Sequence, residues 1–249
     1  MKIILYIVFF ILSVNVFAQS DLFKKANNAY EDENYAEAVT YYDSILNQGY
    51  VDADLYFNLG NSYFQTGEIG KAILNFEKAL KILPGHEKAL NNLSIAQSQT
   101  LDKIENENAT LFDWLLIQST FLSPNGWAWL TIILAFIVLS SYLIFKFYSK
   151  KALKVVCFYS GIVFFVLFSF SFAISAITYY KIKKVDKAVV MKKQVDVKSS
   201  PAENSETVFN LHEGTTTKIL TISDDWIEIS VNQGNIGWIK KGELELVEI

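Results

Sequence analysis

The residues best suited to chemistry are one cysteine and two histidines, namely Cys157, His86 and His212. A thiol beside an imidazole would be a nucleophile with its base. Cys157 lies inside a long apolar run with no histidine near it, and we expect both histidines in solvent, in different domains. The chain has no phosphate-cradling glycine loop, no His-x-x-x-His and no paired acidic motif. We therefore predict that the protein is not an enzyme and uses neither cofactor nor metal.

A second set of residues is suited to binding. Asn27 and Asn61 occupy equivalent positions of two similar segments, with aromatic residues at matching offsets on both sides. An amide at such a position can pair with a peptide group of a ligand, and the aromatic rings can line a groove. The alternative is that the rings pack and the amides are solvated. The predicted peptide-binding groove consists of Phe23, Asn27, Tyr30, Phe57, Asn61 and Phe64.

The spacing of these residues follows from an internal repeat within residues 20–104, with the period of about 34 that is typical of tetratricopeptide repeats. The segment LGNSYFQTGEIGKAILNFEKALKILP, residues 59–84, aligns with NNAYEDENYAEAVTYYDSIL just upstream. Gly60, Tyr63, Ala72, Phe76 and Pro84 stand at the spacings of that repeat. Small residues let the two helices of a unit cross closely, and large ones fill the space between them. A third, partial unit, HEKALNNLSIAQSQTLDKIE, is predicted to be a capping helix.

The chain begins with the pattern of an export signal. MKIILYIVFFILSVNVFAQS has one lysine, a short apolar core and a small residue, Ala18, before Gln19. We predict a signal peptide over residues 1–18, with an uncleaved anchor as the alternative. Either outcome places residue 20 onward outside the cytoplasm.

Two further apolar runs are long enough to cross a bilayer, over residues 127–147 and 155–179. Aromatic residues mark their outer ends, as at membrane interfaces. The small residues Ser169, Ala173 and Ser175 are predicted to let the two helices approach closely. A buried pair of helices in a soluble protein is the alternative. The segment 105–126, with TLFDWLLIQSTFL, is predicted to be juxtamembrane and amphipathic.

Lysines between the two runs set the predicted orientation. The loop 148–154 lies in FKFYSKKALK, which carries four lysines, while the approach to the first run is acidic. The positive-inside rule puts this loop in the cytoplasm. A rival group of lysines over 181–193, of which several lie in the basic linker 180–187, would also favour the cytoplasm. We expect the even number of spans and the export signal to prevail, with both soluble domains outside the cytoplasmic membrane, in the periplasm.

The last part, residues 188–249, changes to a period of two with β-branched residues. VDV, TTTKILTI and WIEISV predict strands, and SSPAENSE, SDD and NQGN predict turns. VDVKSSP, DDWIEIS and GNIGWIKKGELELV resemble a bacterial SH3-like domain, which implies a small β-barrel. Trp226 and Trp238 form its predicted ligand face, and burial in a small core is the equal alternative.

Composition limits the partners. The chain is 51% apolar and 15% aromatic, which fits a protein partly buried in lipid, and its net charge of −4 offers no nucleic-acid-binding surface. The predicted fold class is therefore multidomain: α-helical repeats, two transmembrane helices and a small C-terminal SH3-like barrel.

The order of the parts resembles the BatE-type proteins of the Bacteroides aerotolerance (Bat) group, on the repeat LGNSYFQTGEIGKAILNFEKAL and the GWI at 237–239. The resemblance implies an inner-membrane component beside von Willebrand factor A-type membrane proteins and a MoxR-type ATPase, linked to stress or oxygen tolerance. The leading hypothesis is a non-enzymatic scaffold that binds proteins or peptides. The alternative hypothesis is a receptor that binds peptidoglycan of the cell wall through the SH3-like domain.

Overall fold

The computed structural model describes residues 21–103, 122–232 and 234–249. The predicted signal peptide and most of the predicted juxtamembrane segment lie outside the described residues. The helices and strands fall into two compact units. One contains the repeat helices together with the C-terminal strands, and the other contains the two long apolar helices.

Residues 21–103, the described part of the repeat region, contain five helices. They are α1 over residues 21–31, α2 (Tyr35–Asn47), α3 (Ala53–Gln65), α4 (Ile69–Ile82) and α5 (Glu87–Ser98). The predicted helical repeats are confirmed. Asp52 begins α3 as its N-cap, since its carboxylate accepts from the N–H of Asp54 at 2.8 Å. Gly49 and Gly67 supply the positive φ at the ends of α2 and α3.

The packing of α3 on α4 follows the expected alternation of small and large side chains. Ala72 and Phe76 are fully buried, and Gly60 faces them from α3. A Cβ added at Gly60 would lie 2.7 Å from the Phe76 ring and 3.3 Å from the Ala72 carbonyl oxygen. The first unit repeats the arrangement one period earlier, with Ala38 and Tyr42 buried. The two helices can therefore cross this closely only without a side chain at residue 60.

The C-terminal part is a seven-stranded antiparallel sheet in the order β3-β2-β6-β5-β4-β1-β7. The strands are β1 (Lys187–Val190), β2 (Gln194–Lys198), β3 (Thr207–His212), β4 (Thr216–Ser223), β5 (Trp226–Val231), β6 (Asn235–Lys240) and β7 (Leu244–Leu246). The sheet is not closed among the described residues, because β3 and β7 end it unpaired with each other. Its core face carries the buried side chains Val195, Val197, Ile227, Ile229 and Ile239.

The sheet packs against the repeat helices within one unit, through strand β1 and the residue that follows β7. Val189 and Val247 are buried in the same apolar cluster as Ile73 and Phe76 of α4. Two repeats expose an apolar flank that a third would normally cover. Here the sheet covers part of that flank, so repeats and sheet share one core.

Polar contacts reinforce this interface, and those of Glu77 and Asp102 are two of them. The Glu77 carboxylate is only 6% exposed and accepts from the Lys187 ammonium at 2.8 Å. Asp102, just after α5, accepts from the N–H of His212 at 2.7 Å and from the Thr215 hydroxyl at 2.6 Å. Asp102 and Lys187 come before and after the two long apolar helices in sequence. Each is thus bound by a residue of the other part of the unit that contains repeats and sheet, which we call the soluble unit.

The structure corrects the expectation that both histidines are solvated and lie in different domains. His86 is buried: its Nδ1 accepts from the Ala89 N–H at 3.1 Å and caps α5, and its Nε2 lies 3.0 Å from the Asp54 carboxylate. His212 is half-buried, with its Nδ1 3.0 Å from Asp102. Both imidazoles serve packing within one unit, which sequence spacing does not reveal.

The second unit contains α6 (Pro124–Phe147) and α7 (Lys151–Lys183). Each is long and apolar enough to cross a membrane, and only 11% of its most apolar window is buried. That exposure differs from a core helix of a soluble protein, which is mostly buried. Ser123 caps α6, accepting from the Gly126 N–H at 3.1 Å, with Pro124 in the first turn.

The contact between α6 and α7 uses other small residues than predicted. The Ser141 hydroxyl donates to the Cys157 carbonyl at 2.8 Å, and the Thr131 and Ser171 hydroxyls are 2.8 Å apart. Ser169 and Ala173 are exposed instead, so their prediction as contact residues is wrong. A run without charged residues has no clear polar–apolar period, so the sequence does not show which side of the helix faces its neighbour. In the structure, hydroxyl groups mark the side on which the two helices are in contact.

The hydrogen bonds to Asp102 give the soluble unit a defined acid sensitivity. Burial, the largest influence, raises the pKa of Asp102, but hydrogen bonds from Thr215 and His212 outweigh it and hold that pKa below its usual value. The ionised form therefore adds stability at neutral pH, and this contribution is lost as pH falls below about 4, through the folded pKa. We expect Asp102→Asn to lower the free energy of unfolding at pH 7 and to reduce its fall between about pH 5 and pH 3.

The measurement is urea unfolding of the detergent-solubilised protein followed by far-ultraviolet circular dichroism, across that pH range. Asp32→Asn, at an exposed position after α1, is the matched control for loss of one carboxylate. An Asp102→Asn variant with the pH profile of the wild type would contradict the prediction.

Candidate protein-binding groove

A cavity of about 230 Å³ lies where the first helices of the successive units meet. Tyr30 comes from α1, Asn61, Phe64 and Gln65 come from α3, and Asn92 and Ile95 come from α5. The six lining side chains are neutral: three amides and three apolar or aromatic groups. Ile95 is 45% exposed, so its apolar surface is open to a ligand. The cavity can therefore hold an apolar group beside hydrogen-bonding amides.

The structure brings together half of the predicted groove residues. Tyr30, Asn61 and Phe64 line the cavity, as the translation by one repeat suggested. Phe23 and Phe57 instead pack internally. Phe23 meets the Tyr42 ring edge-to-face, with centroids 6.0 Å apart, and Phe57 lies 4.9 Å from the His86 ring and 6.1 Å from the Phe76 ring.

Asn27 belongs to an amide pair that recurs along the repeats. The Asn58 amide donates to the Asn27 carbonyl oxygen at 3.5 Å, and the Asn92 amide donates to the Asn61 carbonyl oxygen at 2.7 Å. The sequence separation of donor and acceptor is the same in both pairs, so the second pair is the first one shifted by one repeat. The amides therefore form an ordered row on the first helices.

Buried Tyr42 fixes the direction of the first pair. Burial, the largest influence, raises the pKa of Tyr42 to about 12, so its hydroxyl keeps its proton and acts as a donor. It donates to the Asn27 carbonyl oxygen at 2.6 Å. The Asn27 oxygen thus faces the protein, and its N–H₂ group is what remains for a ligand.

Sequence reasoning missed Gln65, Asn92 and Ile95. Two of them had a usable signal, because Asn92 is the repeat equivalent of Asn58 and Ile95 is the repeat equivalent of Asn61. The sequence of the third unit resembles a capping helix, and that pattern predicts no groove-facing side chains on it. In the structure α5 supplies one wall of the cavity.

The two predicted tryptophans lie on the sheet face opposite the core. On β5 the buried residues are Ile227, Ile229 and Val231, which alternate with Trp226, and on β6 Trp238 lies beside buried Ile239. Trp226 pairs with Lys240 and Trp238 with Glu228 across these strands, so the rings are diagonal neighbours. The Lys240 ammonium stands 5.9 Å above the Trp226 ring and is paired with Glu203.

The described residues contain no group of three or more histidine, cysteine or acidic side chains placed to hold a metal ion. Asp102 does lie close to His212 and Thr215, and hydrogen bonds join it to both. The groove offers shape and hydrogen bonds to a ligand.

Comparison with known proteins supports the repeat. Residues 53–86 match the tetratricopeptide repeat family, which covers α3, α4 and the turn before α5. Tetratricopeptide repeats are non-catalytic modules that bind proteins and peptides. No curated protein matches the chain.

Proposed function

From the repeat at 53–86 and the open cavity beside it, we propose that the protein is a non-enzymatic membrane scaffold that recruits a protein partner through this groove. The cavity at Tyr30, Asn61, Phe64 and Asn92 carries the proposal. The sheet shares an apolar cluster with α4, whereas the six residues that line the cavity all lie on the first helices α1, α3 and α5.

The proposed location is the cytoplasmic membrane, with the soluble unit on the periplasmic side. Support comes from the two apolar helices and from the contacts between the repeats and the sheet, which require both ends of the helix pair to face one compartment. An even number of spans satisfies this. The lysines 146, 150, 151 and 154 then lie on the cytoplasmic side, as the positive-inside rule favours.

The rival lysines over 181–193 fit this orientation better than sequence alone suggests. Lys187 and Lys192 pair with Glu77 and Glu243 of the soluble unit. Helix α7 has 33 residues, about 50 Å at 1.5 Å each, against a hydrocarbon core of about 30 Å. Its C-terminal lysines therefore belong to a part of the helix that extends beyond the hydrocarbon core.

The proposed partners follow from the resemblance to BatE-type proteins: von Willebrand factor A-type membrane proteins and a MoxR-type ATPase complex, in envelope stress or aerotolerance. The membrane helices would hold the groove near membrane-bound partners and raise its effective concentration. The sheet, as an SH3-like module, would add a second contact.

A second candidate function is recognition of the cell wall by the sheet. The outward placement of Trp226 and Trp238 favours it, because aromatic surfaces bind the apolar faces of sugars and peptides. The sheet shares its core with the repeats, so the intact protein rather than residues 188–249 alone is the proper test object.

The test is affinity purification of the tagged full-length protein from detergent-solubilised membranes, followed by identification of co-eluting proteins. We expect defined membrane partners with the wild type, and at least a tenfold reduction with Tyr30→Ala combined with Phe64→Ala, which removes two cavity walls. Trp226→Ala combined with Trp238→Ala should lower that recovery by less than the cavity variant does, because the sheet would supply only the second contact.

Asn28→Ala, on the exposed side of α1, is the matched control and should bind as the wild type does. Equal recovery of partners by the wild type and by the variant with Tyr30→Ala and Phe64→Ala would contradict partner binding at the groove. Loss of co-purifying cell-wall fragments in the tryptophan variant, with protein partners retained, would favour the second candidate function.

A further inference from the structure

Four lysines lie at the end of the helix pair where α6 is followed by α7. Lys146 lies in the last turn of α6, and Lys150, Lys151 and Lys154 lie at the start of α7. The first three are exposed, and the fourth is half-buried. The sequence has no acidic residue over 114–185, so the two helices bring no carboxylate to neutralise these ammonium groups.

Aromatic rings lie beside the lysines at this end of the pair. The Lys146 ammonium is 5.4 Å from the centre of the Phe147 ring, and the Lys154 ammonium of α7 is 5.9 Å from the centre of the Phe145 ring of α6. Phe147 is 74% exposed, and Tyr148 beside it is exposed as well. We call these lysines and rings the hairpin-end patch. It presents positive charge and apolar surface next to each other.

The length of α6 places the hairpin-end patch at the level of lipid headgroups. From Trp127 to Phe147 the helix rises about 30 Å at 1.5 Å per residue, which equals the thickness of a hydrocarbon core. Tryptophan favours the membrane interface, so with Trp127 at one interface Phe147 lies at the other. Lysine ammonium groups can then reach lipid phosphates, while the rings face the glycerol and the upper acyl chains.

The two parts of the patch together select among possible anions. A phospholipid of net negative charge offers a phosphodiester to the lysines and an apolar body to the rings. A zwitterionic lipid brings its own ammonium group, which the lysines repel. An anion from solution would use the lysines but would leave the exposed rings in water. Basic clusters beside a membrane span attract anionic lipids in this way.

We propose that the hairpin-end patch binds an anionic phospholipid, with its phosphodiester among Lys146, Lys150, Lys151 and Lys154 and its upper acyl chains against Phe147 and Tyr148. This inference rests on the proposed membrane location and is independent of the groove. The lysines thus bind a ligand in addition to orienting the helices.

The test is native mass spectrometry of the full-length protein, released from neutral-detergent micelles that contain phosphatidylglycerol and phosphatidylcholine in equal amounts with the same acyl chains. We expect at least fivefold more retained phosphatidylglycerol than phosphatidylcholine. Lys150→Gln combined with Lys151→Gln should reduce this excess at least fivefold, because two attractions to the phosphodiester are lost. Lys150→Arg combined with Lys151→Arg keeps both charges and should keep the excess.

Lys24→Gln combined with Lys88→Gln is the matched control, since it removes two exposed lysines from the repeat helices, and it should show the wild-type excess. Equal retention of the two lipids, or an excess that survives the glutamine pair at 150 and 151, would overturn the inference and leave the membrane location standing. Displacement of the lipid by an equal concentration of glycerol phosphate would also overturn it, in favour of an anion from solution. A full-length protein that stays soluble without detergent would contradict the membrane location and the inference together.

Discussion

Replacement of Gly60 by valine is expected to destabilise the soluble unit by about 2–3 kcal/mol, as overpacking of a close helix crossing does. The first atom beyond Cα would already lie 2.7 Å from the Phe76 ring. That ring is fully buried, so it cannot swing into solvent to make room. The Ala72 carbonyl oxygen, 3.3 Å from the added Cβ, belongs to the backbone of α4, so α3 and α4 must move apart.

The measurement is urea unfolding of the detergent-solubilised variant, together with amide hydrogen exchange of α3 and α4. Ala36→Val is the matched control, because it places the same β-branched residue at an exposed site of α2, where only helix propensity changes. Since α3 carries Asn61 and Phe64, the Gly60 variant should also lose groove binding. A Gly60→Val protein as stable as the control would show that the crossing can relax.

The repeat helices could be predicted from sequence because the two helices of each unit pack in the same way, with small and large residues at equivalent positions. Gly60 and Ala72 must be small where Tyr63 and Phe76 are large, and the spacing of these residues identifies both helices. The strands likewise follow from alternation, since the buried Ile227, Ile229 and Val231 occupy every second place in WIEISV.

The groove could be predicted only in part. Translation by one repeat finds the positions that are equivalent along the first helices, but it does not separate rings that face the groove from rings that pack internally. Phe57 and Phe64 are both aromatic and lie two turns apart on α3, yet Phe57 packs on His86 while Phe64 lines the cavity. The deciding neighbour, His86, comes from a turn whose position the repeat pattern leaves open.

The interface between repeats and sheet could not be predicted. Its contacts join residues more than a hundred positions apart, such as Glu77 with Lys187 and Asp102 with His212. They are common polar types with no characteristic spacing. A sheet forms a closed barrel only when its two edge strands pair with each other, which the sequence does not show either. The edge strands here are β3 and β7, at opposite ends of the strand order.

Deletion of residues 104–184, with Lys103 joined to Val185 by a flexible Gly/Ser linker, is expected to yield a soluble and folded protein. The deleted part contains both apolar helices, whose exposed surface otherwise needs detergent or lipid. The remaining halves share one apolar core through Val189 and Val247, so they need no membrane to stay together. A Gly/Ser linker of about 15 residues is suitable, since its root-mean-square span is about 20 Å.

The measurement is the elution volume without detergent, with amide exchange compared against the full-length protein in α4 and β1. The matched control adds Lys187→Glu, which places a second carboxylate beside Glu77, whose side chain is only 6% exposed. Lys187 itself is half-exposed, so solvent screens part of the repulsion, and the cost is that of leaving the buried Glu77 carboxylate without its donor, about 1–3 kcal/mol. The control should therefore lose protection in both halves at once.

Loss of protection in the sheet alone would mean that repeats and sheet fold independently, and a deletion protein that aggregates would mean that the membrane helices stabilise the soluble unit. A soluble, cooperative deletion protein would instead mean that the two helices are an insertion within one domain. Both ends of the helix pair must then face the same compartment, whichever compartment that is. The lysines of FKFYSKKALK then bear only on which compartment this is. That repeats and sheet lie in the same compartment already follows from their shared core.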